Sequence, residues 1–168
     1  GGRFPYQAAD ELLLAPFQPE VLARPSLLLP LLAVLGVAVA GLPLSDGQSL
    51  FASERVPFAG QRLAPGWALA GNGAAFGLLS MGAAVGEEAV FRGFLLHGLA
   101  DPEAPGGAIA LQATLFGLLH LPNPWLQGSP QPWEDGLKAG AVTGVLGAHL
   151  GYLTWDARGD LRPAVAFH

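Results

Sequence analysis

PSLLLPLLAVLGVAVAGLPLS, residues 25–45, carries no charge and lies between Arg24 and Asp46. A bilayer hydrocarbon core about 30 Å thick is crossed by about 20 apolar residues of helix, so this run reads as a membrane span. Working outward, residues 63–86 form a second uncharged window that leads directly into Glu87 and Glu88. A third, residues 104–133, has a helical part over 106–121 and closes on the turn-forming PNPW and QGSPQP. A fourth covers 139–155 and ends at Asp156, and a fifth starts at Leu161. Composition agrees: 12% of the 168 residues are charged and 51% are hydrophobic, against about 25% charged in soluble domains. Mean hydropathy is +0.42. So few charges cannot wet the outside of a compact soluble domain, and lipid is the simplest cover.

Other classes are excluded by the same numbers. A net charge of −5 with no basic cluster argues against nucleic-acid binding. Without cysteine there is no disulfide, no thiolate metal site and no cysteine nucleophile. The 24 glycines and 15 prolines are interleaved with apolar residues, as in membrane helices rather than disordered tails.

The expected fold is all-α: one polytopic transmembrane bundle of at least four helices, with both chain ends reading as cuts within a larger bundle. Residues 1–24 read as an interfacial or connector segment, 25–168 as the bundle, and 46–65 as a polar loop. From Trp67 to Ala100 one continuous helix would run about 50 Å, longer than a bilayer core, so a break is expected near Gly82 or Gly86. Glycines 66, 71, 73, 77, 82 and 86 offer a small-residue surface for close helix packing. Trp67, Trp125, Trp133, Tyr152 and Trp155 fall near the helix ends, as an aromatic belt requires. With alternating helices, Arg3, Arg24, Arg92, Arg158 and Arg162 share one side and Arg55, Arg62 and Lys138 the other, which favours a cytoplasmic start.

Ionisable groups within apolar runs are costly and therefore candidates for function. In EEAVFRGFLLHGL, residues 87–99, Glu88 and Arg92 share a helical face while Glu87 projects about 100° away. Two adjacent carboxylates in low dielectric repel, and one arginine compensates one of them. The other is left for acid–base work, although an interfacial ion-pair patch fits the spacing equally well. In FGLLH, Phe116 and His120 share a face, and AVAFH ends on His168. Each lone histidine also fits a core or interfacial role. His149 lies mid-helix among glycines, and His97 sits nearer a helix end. Together, an acid pair and imidazoles on separate helices are the ingredients of a hydrolytic or metal site.

EEAVFR, then FGLLH, then an apolar helix ending in histidine, resembles the CPBP family of intramembrane proteases, also called the CAAX protease and bacteriocin-processing or Abi family. Its pattern is EExxxR, FxxxH and HxxxN or HxxxD. The resemblance covers Trp67 to His168, and the Asn or Asp expected four residues after His168 lies beyond the chain's end. It implies an EC 3.4 endopeptidase of the bacterial plasma membrane, acting on a membrane-associated or prenylated protein. It also implies Glu87, His120 and His168 as catalytic residues, supported by Glu88, Arg92 and Phe116. The same three would be the ligands of a metal, with zinc the candidate. HExxH and GxGD are absent, and Ser80 lacks a GxSG setting, which sets aside the other intramembrane protease types. The competing expectation is a non-catalytic scaffold or regulator of the same fold, or a small proton-coupled transporter.

Overall fold

A computed structural model of the chain describes residues 7–40, 56–58, 60–101 and 103–168. Those residues are almost all helical. α1 (Ala9–Leu14) passes through a 3-10 turn (Ala15–Phe17) into α2 (Pro19–Leu22), followed by α3 (Pro25–Ala40) and α4 (Pro65–Glu88). α4 continues through a π-helical segment, Ala89–Leu96, into α5 (His97–Leu99). After these come α6 (Gly106–His120), α7 (Asn123–Leu126), α8 (Pro132–Asp156) and α9 (Arg162–Phe167). Proline in the first turn of α2, α4, α7, α8 and α9 presets the helical φ where no N–H partner is needed.

The all-α expectation holds apart from one small hairpin. β1 (Val56–Phe58) and β2 (Gln61–Leu63) pair antiparallel within the stretch read as polar loop. Residues 41–45 of the first window and 46–55 of that loop lie outside the described residues. The long second helix does not break at Gly82 or Gly86. The irregularity comes at Ala89, where the winding widens to i→i+5 without interrupting the helix. Among the described residues one helix, Gly73–Leu99, is long and apolar enough to cross a membrane, and Pro25–Val34 is a shorter apolar helix.

Close helix packing falls elsewhere than the glycine pattern of the second window indicates. A Cβ on Gly66, Gly73, Gly77, Gly82 or Gly86 would meet nothing among the described atoms, and Phe76, Leu78 and Leu79 of the same helix are exposed. The tight contact is instead between α6 and α8. A Cβ on Gly117 would come within 2.5 Å of the Gly140 carbonyl oxygen and 3.1 Å of the Gly144 Cα, and backbone cannot step aside as a side chain can. Gly117→Ala is therefore expected to lower stability by about 1–3 kcal/mol, the usual cost of overpacking. Gly144→Ala, whose Cβ would find its nearest neighbour at 3.7 Å, should be neutral or stabilising in a helix. Thermal unfolding of the two variants in detergent measures the difference, and equal midpoints would refute this packing.

α9 is wedged between two apolar clusters. On one side Leu161 and Val165 pack with Leu12, Ala15 and Ala84. On the other Ala164 packs with Val21, Leu27, Leu150 and Leu153. The N-terminal segment thus contributes buried side chains to the site's support. Between α8 and α9 the chain turns through Arg158 (φ 55°) and Gly159 (φ 91°). Gly159 N–H donates to the Thr154 carbonyl and Arg158 N–H to that of Trp155, the paired bonds that close a helix through a left-handed residue.

Candidate active site

The site is built where the end of α4 meets α6, α8 and α9. Glu88 and Arg92 are completely buried. Four residues apart, they stay in register across the start of the π-helical segment, and Arg92 Nη1 donates to Glu88 Oε1 at 3.0 Å. Arg92 Nη2 donates to the Gly147 carbonyl of α8 at 3.1 Å. The guanidinium carbon lies 4.4 Å from the centroid of the Phe116 ring, a cation–π distance. Phe116 is itself met edge-on by Phe91 at 5.0 Å.

His168, at the end of α9, reaches both carboxylates. Its Nδ1 lies 2.9 Å from Glu88 Oε1, so Nδ1–H donates to the oxygen that also accepts from Arg92. Its Nε2 lies 3.6 Å from Glu87 Oε2, beyond direct hydrogen-bond length but within one-water reach. The two acids differ in access: the Glu87 side chain is 35% exposed and that of Glu88 is sealed. Glu87 Oε2 is nevertheless enclosed and has no hydrogen-bond partner among the described residues.

His120 stands apart from this pair. Its Nδ1–H donates to the Phe116 carbonyl at 2.8 Å, which leaves Nε2 as an acceptor in the neutral ring. The Phe116 ring lies 4.6 Å from the His120 ring and 6.1 Å from that of His168, so one aromatic side chain contacts both imidazoles. The six residues singled out in the sequence form one chain of contacts, in which His120 is attached through Phe116 and Glu87 through His168.

The remaining histidines fall outside the cluster. His97 Nδ1 lies 3.4 Å from the Arg92 carbonyl. His149 packs its ring against Phe167 at 4.7 Å.

Two residues that sequence reasoning missed complete the support. Gln112, wholly buried on α6, donates from Nε2 to the Gly147 carbonyl at 2.9 Å and to that of Ile109 at 3.1 Å. The Gly147 carbonyl thus accepts from both Gln112 and Arg92. Only glycine fits there without displacement, because a Cβ would meet Phe116 Cδ1 at 3.0 Å and Arg92 Nη2 at 3.3 Å. The available signal was Gln112 itself, an uncharged but strongly polar side chain four residues before Phe116 on a mostly apolar helix.

Among the described residues no group of three or more His, Asp or Glu side chains converges to hold a metal ion. Glu87 and His168 face one another, while His120 is bonded to the Phe116 carbonyl and lies against its ring. The described side chains thus form no three-ligand centre in this arrangement.

No curated protein and no solved structure is significantly similar to the chain. The family model described as type II CAAX prenyl endopeptidase Rce1-like matches residues 61–168, which takes in the first two motifs, the histidine of the third and the whole cluster around Glu88. This is a family of integral-membrane proteases built from helices, in line with the exposed apolar surface of α4 and the buried acid–arginine pair. The chain, matched over more than half its length, belongs to the type II CAAX prenyl endopeptidase Rce1-like family.

Proposed function

We propose that the chain is the catalytic part of an intramembrane endopeptidase that hydrolyses a peptide bond of a prenylated or otherwise membrane-associated protein. The observation that supports this best is the return of His168 to Glu87 and Glu88 across some eighty residues of chain. Glu87, half-exposed, takes the proton from a water held between its Oε2 and His168. The water oxygen bonds to the scissile carbonyl carbon. His168, with Nδ1–H on Glu88, presents a protonated Nε2 to the developing oxyanion. The C–N bond then breaks as Glu87 returns the proton to the leaving amine. His120, whose Nε2 is free to accept, orients the water or the leaving amine. Glu88 and Arg92 transfer no proton in this scheme and hold His168 in place.

In the intact bundle the windows around α3, α4, α6 and α8 supply at least four membrane helices, and the enzyme works in the bacterial plasma membrane. The test is a farnesylated peptide ending in a CAAX box, offered to the protein in proteoliposomes. The expected product is the released C-terminal tripeptide, with His120→Ala lowering the rate about 100-fold or more. Full cleavage by His120→Ala would remove that residue from the mechanism. No cleavage by the native chain, with proton-coupled solute flux in its place, would favour a transporter.

A further inference from the structure

The family match begins at residue 61, so it assigns nothing to the segment before it. Yet residues 7–24 fold over the start of α9, the helix that delivers His168. Gln7 makes two bonds there. Its Nε2 donates to Asp160 Oδ1 at 2.7 Å and its Oε1 accepts from Leu161 N–H at 2.7 Å. Asp160, 15% exposed, also accepts from Arg162 N–H at 3.0 Å and from Arg162 Nη2 at 2.9 Å, and pairs with Arg24 at 3.8 Å. Gln18 Oε1 accepts from Arg162 Nη1 at 3.3 Å. Around these bonds Leu12, Ala15 and Val21 are buried against Leu161, Val165 and Ala164. Burial raises the Asp160 carboxyl, but the hydrogen bonds of Arg162 and Gln7 outweigh it and hold the group below the usual carboxylate value. The carboxylate therefore stays ionised at neutral pH.

A helix of six residues does not hold its own direction in isolation. The grip on its first turn acts on the axis of α9 beside the apolar packing of Ala164 and Val165, and an error there is carried about 9 Å to His168. We propose that the segment 7–24 is a positioning clamp for His168, acting through Gln7 and Asp160 on the start of α9. The clamp adds a role for residues of this chain to the peptidase reading and rests on that reading only for its effect on turnover. Its geometric effect stands without it.

The experiment uses the full chain in detergent micelles with ¹⁵N-labelled histidine. In the native chain the Nδ1–H of His168, bonded to Glu88, should give a downfield proton resonance. In Gln7→Leu, which keeps bulk and removes both bonds, that resonance should be lost or shifted while the His120 signal stays. Asp160→Asn should weaken it less. If Gln7→Leu fails to fold by circular dichroism, Gln18→Leu, which removes the 3.3 Å bond alone, should still shift the His168 signal. With the farnesylated peptide, kcat should fall about 10- to 100-fold at unchanged KM, the scale of a small misplacement of a catalytic group. An unchanged His168 resonance in folded Gln7→Leu and Gln18→Leu would overturn the clamp. A shifted resonance supports it even where the native chain does not cleave the peptide, an outcome that would count against the peptidase reading alone.

Discussion

Glu87→Gln should lower kcat by at least about 100-fold, the lower end of what a positioned general base contributes. Glutamine keeps the shape of the side chain and leaves the bond between Arg92 Nη1 and Glu88 Oε1 untouched, so the variant should fold and insert as the native chain does. Only the capacity of Glu87 to accept a proton is removed. Glu88→Gln should behave differently: its charge balances buried Arg92, and its loss should reduce stability together with activity. Steady-state kinetics on the farnesylated peptide, with a melting curve for each variant, separates the two. Near-native turnover by Glu87→Gln would exclude it as the base.

The largest loss of stability is expected from Arg92→Met. Removing one partner of a fully buried ion pair strands the other, at a cost of about 3–5 kcal/mol. Here the group left behind is Glu88, which keeps only the His168 bond on Oε1 and whose Oε2 already has no hydrogen-bond partner among the described residues. The substitution also removes one of the two donors to the Gly147 carbonyl and the cation over Phe116. The double variant Glu88→Gln/Arg92→Met should recover much of that loss, because replacing both charges together leaves no orphan. Chemical denaturation in detergent reads both. A single Arg92→Met variant within about 1 kcal/mol of native would mean that the pair contributes little to this fold.

Helix positions were legible because uncharged windows and their charged flanks are local features. The expected helix over 106–121 is α6, and the fourth window lies inside α8, which starts seven residues earlier because Pro132, Glu134 and Asp135 form a favourable first turn. Which glycines face a neighbour was not legible. Glycines in α4 and α8 look alike in the sequence, and only the docking of α6 selects Gly140 and Gly147 as contact points while the described glycines of α4 from Gly73 to Gly86 meet nothing.

The pairing of Glu88 with Arg92 follows from helical spacing, and the structure keeps it even where the helix widens. Sharing of the same Glu88 oxygen with His168 depends on the path of α9 and could not be read from spacing. Gln7 and Asp160 lie 153 residues apart. Neither stands in an apolar run, so neither carried the cost signal that drew attention to Glu87, Glu88 and Arg92.

Glu87 and His168, 3.6 Å apart, are proposed to act as one catalytic unit. A double-mutant cycle on kcat/KM tests it most directly, using Glu87→Gln, His168→Asn and the two combined in proteoliposomes. Residues that act as a unit are strongly non-additive. The expected result is that each single variant loses nearly as much activity as the double. Losses that multiply, so that the double variant falls by the product of the two single effects, would contradict it.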